Sequence, residues 1–317
     1  MPVFITDYVE KPDIESKVLS GRLTKEKKEA EVLLVWHQEI TKEYLSKFPN
    51  LKGVVRYGVG YDAIDLVAVR ERNIYFCNTP DYGTDEVSDT VIGMIMMLTR
   101  GIHFYDQHSR NFKNKKWQEN TINSLQRTSS LSLGVIGAGR IGGSIIRKAK
   151  AIGFKTSFYD PYKEPGYEKM LDTNRSLSLD EILKTSNIIS INTPLTPETK
   201  GMVNKDFLDQ MLIGSVLINA ARGEILESLD ILIEPLKQNL LFGVSLDVLP
   251  EEPPINCELI NAWKKNEDWI KGKLIINPHT SYYSKESYFE MRQKSAENAK
   301  RILENKEPLN KIVDKKK

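Results

Sequence analysis

Short β-branched apolar runs alternate along the chain with segments whose apolar residues recur every three or four positions. Runs at 3–6, 32–36, 54–56 and 74–77 predict strands, and 41–48 and 63–70 carry helical spacing. This predicts a small doubly wound unit ending near residue 100. A long helical stretch over 86–111 follows and predicts a crossing between domains. A second series of strands is predicted at 133–136, 155–159, 187–192, 215–220, 242–248 and 274–277. Six strands with helices between them match the two-halves plan of a dinucleotide-binding sheet. Ser178 and Glu181 have capping-box spacing. Pro235 falls inside the helical pattern at 229–237, where it predicts a kinked or shortened helix. A last helix at 284–304 is expected to return to the first domain. The fold class is therefore α/β, with parallel sheets.

Length and composition narrow the class. The 317 residues suit two domains, and 40% hydrophobic with 28% charged residues is ordinary for a water-soluble chain. Two cysteines, Cys77 and Cys257, make no disulfide framework and match no zinc spacing, so no metal is expected and a reducing, cytoplasmic setting fits. The start at Met1–Asp7 has no basic segment followed by an apolar one, and the apolar run at 91–98 is too short to span a bilayer. The net charge of +2 is evenly mixed. The Lys315-Lys316-Lys317 end reads as a solvated tail rather than a nucleic-acid arm. Neither a nucleic acid nor a membrane is expected as a partner.

Residues 135–142 read Val-Ile-Gly-Ala-Gly-Arg-Ile-Gly, a GxGxxG turn between a predicted strand and an amphipathic segment. Gly137 permits the tight turn, Gly139 a close backbone approach to a pyrophosphate, and Gly142 close helix–strand packing. The helix start supplies free N–H groups and positive potential. Asp160 ends the next strand, eighteen residues after Gly142. A carboxylate there accepts the ribose hydroxyls of NAD and repels the 2′-phosphate of NADP. The competing reading is a glycine turn that binds nothing.

Three residues follow successive late strands: Arg222, Glu252 and His279. Ligands of open α/β sheets bind outside the carboxyl ends of the strands, so the three can converge. Reducing a ketone requires a proton donor for the developing alkoxide, and an imidazolium suits neutral pH. A carboxylate behind it orients the ring and favours its charge. A guanidinium fork binds a substrate carboxylate and polarises the carbonyl. For alcohol oxidation His279 is the base. Alternatives stand beside each: a surface ion pair for Arg222, Glu251 in place of Glu252, and a structural imidazole for His279. Asp247 is either a contact to the nicotinamide carboxamide or ribose, or a strand-end cap.

These motifs resemble the D-isomer-specific 2-hydroxyacid dehydrogenases over nearly the whole chain. Besides the glycine turn, Arg56-Tyr57-Gly58-Val59-Gly60-Tyr61-Asp62, Asn78-Thr79-Pro80, Pro194-Leu195-Thr196-Pro197-Glu198-Thr199, Asn219-Ala220-Ala221-Arg222-Gly223, Leu246-Asp247-Val248 and Pro278-His279 carry the likeness. The resemblance implies NAD as cofactor, a small 2-keto or 2-hydroxy acid as substrate and the Arg/Glu/His set as catalysts. It implies a Rossmann nucleotide domain at 101–287 and a smaller flavodoxin-like substrate domain at 1–100 with 288–317. A cleft between domains and a homodimer built on the nucleotide domains also follow from it. Cofactor contacts are implied for Arg140, Ile141, Ala220, Ala221, Arg222 and His279, for Thr90 at the phosphates, and for Thr193 and Pro194 along the adenosine.

Within the family, Phe158–Tyr162, His279–Ser284 and Glu290-Met291-Arg292 are similar to the C-terminal-binding-protein branch. Tyr282 stands where that branch usually has tryptophan, which predicts an aromatic pocket wall. His37 and Arg56 share the likeness, Arg56 as a second positive charge for the substrate. The turn Tyr57–Gly60 is expected to offer backbone N–H groups to the substrate carboxylate, against the simpler reading of a strand-to-helix turn. That branch includes corepressors, so an NAD(H)-dependent regulatory protein with vestigial catalysis is the alternative function. The absence of a long extra tail favours the enzyme.

Overall fold

The computed structural model describes residues 2–110, 117, 121–255 and 257–315. The chain forms two compact units, Met1–Gly83 with Tyr283–Lys317, and Thr84–Tyr282. The first unit opens with β1 (Val3–Ile5), α1 (Asp13–Val18), β2 (Val32–Val35), α2 (Lys42–Ser46), β3 (Gly53–Arg56), α3 (Leu66–Glu71) and β4 (Tyr75–Cys77). Its strands are parallel in the order β1-β2-β3-β4. Leu23 bridges Val3 on the other side of β1. A second strand reduced to one residue therefore gives the flavodoxin-like order. Thr41 and Asp65 cap α2 and α3, their side chains accepting from Tyr44 N–H and Ala68 N–H.

The second unit carries α4 (Thr84–Thr99), α5 (Ile102–Arg110), β5 (Ser132–Ile136), α6 (Arg140–Ile152), β6 (Lys155–Tyr159), α7 (Tyr167–Leu171), β7 (Asn174–Arg175) and α8 (Leu179–Thr185). It continues with β8 (Ile188–Ile191), α9 (Lys205–Gln210), β9 (Ser215–Asn219), α10 (Ile233–Lys237), β10 (Leu241–Leu246), α11 (Glu258–Lys265) and β11 (Leu274–Ile276). The sheet is wholly parallel, ordered β11-β10-β9-β8-β5-β6-β7. Strand order reverses at β5/β8, the switch point where such sheets bind ligands. Alternation buries both faces: Val216 and Ile218 of β9 join the apolar cluster of α4 and α6, while Leu217 joins that of α8, α10 and α11.

Two elements return to the first unit. Helix α12 (Lys285–Leu303) packs on α1, β2 and β3, and β12 (Lys311–Val313) pairs antiparallel with β4. A reciprocal capping box of Ser284 and Ser287 starts α12.

Several expectations change. The seventh strand is β7, whose two residues are too few for a periodic signal, and β12 was likewise unforeseen. The helix expected over 86–111 is two helices, broken at Gly101 with φ +65; its end at Asn111 lies outside the described residues, as do Lys316 and Lys317 of the tail. Because α4 packs on α6, β9 and β10, the units divide at Gly83/Thr84 and Tyr282/Tyr283, not at 100/101 and 287/288. The Ser178 hydroxyl accepts from Glu181 N–H, but Glu181 takes the N–H of Leu177 rather than that of Ser178, so the capping box is half made. Pro235 lies in the first turn of the short α10, where a missing N–H costs little. Among the described residues no helix is long and apolar enough to cross a membrane.

Candidate active site

The glycine turn follows β5 directly. Gly137 turns at φ +88, and a Cβ built there would come 2.7 Å from the Asn192 carbonyl oxygen. A Cβ on Gly142 would overlap the Gly137 carbonyl, so α6 starts hard against the turn. Gly139 differs, since nothing lies within 4 Å of its built Cβ and no side chain caps α6. An open flank beside uncapped N–H groups suits a pyrophosphate. Thr193 Oγ1, next to the turn, is buried with no hydrogen-bond partner among the described residues. The Asp160 carboxylate accepts from Ala138 N–H at 2.9 Å and Tyr162 N–H at 3.0 Å, which sets it beside the turn at the end of β6. Arg175 steadies the same loop by donating to the Asp160 carbonyl at 3.0 Å. These features fit a dinucleotide with free ribose hydroxyls.

Beyond β11 the chain bends into a hook that carries His279. Its N–H donates to the Asp247 carbonyl at 2.8 Å, and its own φ is +54. The N–H groups of Thr280 and Ser281 both donate to Asp247 Oδ1 at 3.1 Å. Burial pushes the Asp247 carboxyl above the ordinary carboxylate range despite those N–H groups. Asp247 thus builds the hook, a role closer to the strand-end cap. Thr90 donates to the Ser281 carbonyl at 3.5 Å, which puts it beside the hook. Pro278 is exposed, and Tyr282 packs half-buried against the apolar cluster of α4 and α6.

His279 Nδ1 and Glu252 Oε2 are 2.8 Å apart. A carboxylate only accepts, so Nδ1 carries the hydrogen and Nε2 is left for proton exchange. Glu252 Oε1 accepts from Leu249 N–H at 2.8 Å. Burial raises the Glu252 carboxyl, but the bonds from His279 and Leu249 and the charges of His279 and Arg222 outweigh it, holding the group below its usual range. Glu252, not Glu251, is therefore the partner of His279.

Arg222 reaches this group through a turn that sequence reasoning left without a cause. Asn219 Oδ1 accepts from Ala221 N–H at 3.0 Å and its amide donates to the Arg222 carbonyl at 2.8 Å. A Cβ on Gly223 would overlap Leu249 and Pro250, so the loop after β9 lies flat on the loop after β10. Both residues stand in the Asn219–Gly223 motif, but only coordinates show what the glycine touches. Ala220 and Ala221 pack against the two apolar clusters of the unit.

In the first unit the substrate candidates fare unevenly. Tyr57 is 1% exposed, its N–H donates to Val35 and its hydroxyl to Glu15 Oε1 at 2.9 Å. Burial and the bond to Glu15 therefore take up its side chain, and its N–H is spent on Val35 rather than left for a substrate carboxylate. The following turn is better suited. Gly58 has φ +116, its carbonyl accepts from Thr79 N–H at 3.0 Å, and the Val59 carbonyl accepts from the Asn78 amide at 2.7 Å. Planar trans peptides then direct the N–H groups of Val59 and Gly60 away from Asn78 and Thr79. Arg56 Nη1 lies 3.3 Å from a Cβ built on Gly58, so its guanidinium flanks the turn. His37 is exposed, with its ring 4.7 Å from that of Tyr8. Asp7, which sequence reasoning missed, accepts the N–H groups of Trp36, His37 and Gln38 at 3.0, 2.6 and 3.0 Å and shapes the end of β2.

A parallel seven-stranded sheet with this turn is the architecture of dinucleotide-dependent oxidoreductases. Residues 92–281 match the D-isomer specific 2-hydroxyacid dehydrogenase NAD binding domain, and the chain belongs to that family of NAD-dependent dehydrogenases. It is 29% identical over 294 residues to a hydroxypyruvate reductase of Blautia hydrogenotrophica, covering 90% of this chain and 86% of that one. It is also 29% identical over 295 residues to a D-3-phosphoglycerate dehydrogenase of Methanocaldococcus jannaschii, covering 91% of this chain and 53% of the relative. Among solved structures, a D-lactate dehydrogenase from Aquifex aeolicus complexed with NAD and lactic acid superposes with a TM-score of 0.81, at 27% identity and 96% of each chain.

Proposed function

We propose that the protein interconverts a small 2-keto acid and its D-2-hydroxy acid, with His279 as general acid and base. The carrying observation is the 2.8 Å bond from His279 Nδ1 to Glu252, which fixes the tautomer and leaves Nε2 for the substrate oxygen. Bound NADH supplies the hydride for ketone reduction, and NAD⁺ accepts it in the reverse direction. Glu252 holds the imidazole in place through Nδ1. Arg222 binds the substrate carboxylate and polarises the carbonyl. In the first unit the candidate substrate contacts are the Val59 and Gly60 N–H groups, flanked by Arg56, and His37; in the second unit Tyr282 is a further candidate.

For the cofactor, Gly137, Gly139, Arg140, Ile141 and Gly142 hold the pyrophosphate and Asp160 the adenosine ribose. Thr193 and Pro194 line the adenosine side. Ala220, Ala221, Asp247 and Thr90 line the nicotinamide half, Thr90 shifting there from the phosphates because of its bond to Ser281. Similarity to a hydroxypyruvate reductase and a D-lactate dehydrogenase favours a small acid. A cytoplasmic homodimer joined through residues 84–282 completes the reading; its test is equilibrium sedimentation, where twice the chain mass is expected and the single-chain mass would overturn it. The function is tested by following NADH absorbance against a panel of 2-keto acids. Turnover of at least one, with a D product, is expected; turnover of none overturns the proposal.

A further inference from the structure

The first unit holds a buried charged cluster that the reaction does not use directly. Glu15 of α1 is 0% exposed, Tyr57 is 1% exposed and Arg292 of α12 is 6% exposed. Arg292 donates to Glu15 through Nε at 2.8 Å and Nη2 at 2.5 Å, a two-point pair. Nη2 also donates to Asp13 Oδ1 and to the Lys11 carbonyl, both at 2.8 Å. The Tyr57 hydroxyl donates to Glu15 Oε1 at 2.9 Å. A buried carboxylate is costly unless paired, and here all its partners come from outside its own helix.

Tyr57 is the residue immediately before Gly58. Gly58 turns the chain at φ +116, a conformation that favours glycine, so the turn's position depends on what holds its two sides. Asn78 and Thr79 hold the carbonyl side. On the leading side Tyr57 is held by its N–H on the Val35 carbonyl at 2.8 Å, by its ring, packed 5.6 Å from the Trp36 ring, and by its hydroxyl, tied to Glu15. Burial and the neighbouring Glu15 charge push the Tyr57 phenol far above its ordinary range, so it remains a donor at every working pH.

We propose that Glu15, Arg292 and the Tyr57 hydroxyl are positioning groups for substrate binding: the buried Glu15–Arg292 pair holds Tyr57, and Tyr57 holds the Val59 and Gly60 N–H groups where they meet the substrate carboxylate. The inference rests on the 2-keto acid reading. It makes these groups act on substrate affinity rather than on proton transfer or cofactor binding, since a small displacement of an anchoring donor weakens binding.

Tyr57→Phe removes one oxygen and keeps the ring, and Glu15→Gln keeps the shape of the side chain while removing its charge. Steady-state kinetics with NADH and the best 2-keto acid, NADH titration by fluorescence and thermal melting are measured on both variants. The expected result is KM for the keto acid raised about five- to tenfold, kcat changed far less, and NADH affinity unchanged. Unchanged KM in both variants, whatever their melting temperatures, overturns the inference and marks the cluster as a stability element. Equal falls in NADH affinity overturn it too. If the parent protein turns over no 2-keto acid, the proposed function itself fails and this inference with it.

Discussion

His279 and Glu252 stand twenty-seven residues apart in sequence and 2.8 Å apart in space. Both are fixed by the segment just after β10, the hook of His279 by Asp247 and the Glu252 carboxylate by Leu249 N–H, although His279 itself follows β11. Replacing Glu252 with Gln keeps an acceptor but removes the carboxylate charge beside the ring. The expected loss in kcat for ketone reduction is about ten- to a hundredfold, with NADH affinity unchanged in a fluorescence titration.

The pH dependence has a sign. Glu252 is held below the ordinary carboxylate range, so the folded state favours its ionised form. Its stabilising contribution is present above that range and is lost as pH falls through the depressed value. Across neutral and mildly acidic pH the carboxylate therefore stays charged. An acid must be charged to donate and a base neutral to accept, so ketone reduction falls and hydroxy-acid oxidation rises with increasing pH. Initial rates in both directions over a buffered pH series check this; parallel profiles would contradict it.

Asp160 accepts the N–H groups of Ala138 and Tyr162, and the proposed function gives the same carboxylate the ribose hydroxyls. Asp160→Ala should relax the preference for NAD over NADP and weaken NAD binding as the turn loosens. The ratio of kcat/KM for the two cofactors measures it, and an unchanged ratio would show the ribose contact to lie elsewhere.

Gly223 has no room for a methyl group against Leu249 and Pro250. Gly223→Ala should cost about 1–3 kcal/mol through forced backbone shifts and should lower kcat by moving Arg222 relative to Glu252. Thermal melting and steady-state rates together check both effects. A variant as stable and active as the parent would show that the two loops are not locked.

Most of the nucleotide unit was legible because buried parallel strands such as β8 and β9 read as continuous apolar runs with glycines and acids at their ends. The positions of Arg222, Glu252 and His279 beyond late strands were legible for the same reason, each falling after such a run. Interactions distant in sequence were not. Nothing in the periodicity marks Asn219 as the residue that folds the Arg222 turn. Nothing shows that Tyr57 points inward to Glu15, because a strand-end tyrosine reads alike whether buried or exposed. Strands as short as β7 and the Leu23 bridge fall below the length at which alternation is detectable. The break at Gly101 was hidden because a single glycine is tolerated within a helical pattern.

The most direct test of the central claim is the rate of NADH oxidation with the best 2-keto acid in His279→Gln, compared with the parent protein. The account predicts a fall in kcat of about a hundred- to ten-thousandfold, with NADH affinity retained. A variant that reduces the keto acid at the parental rate would contradict it.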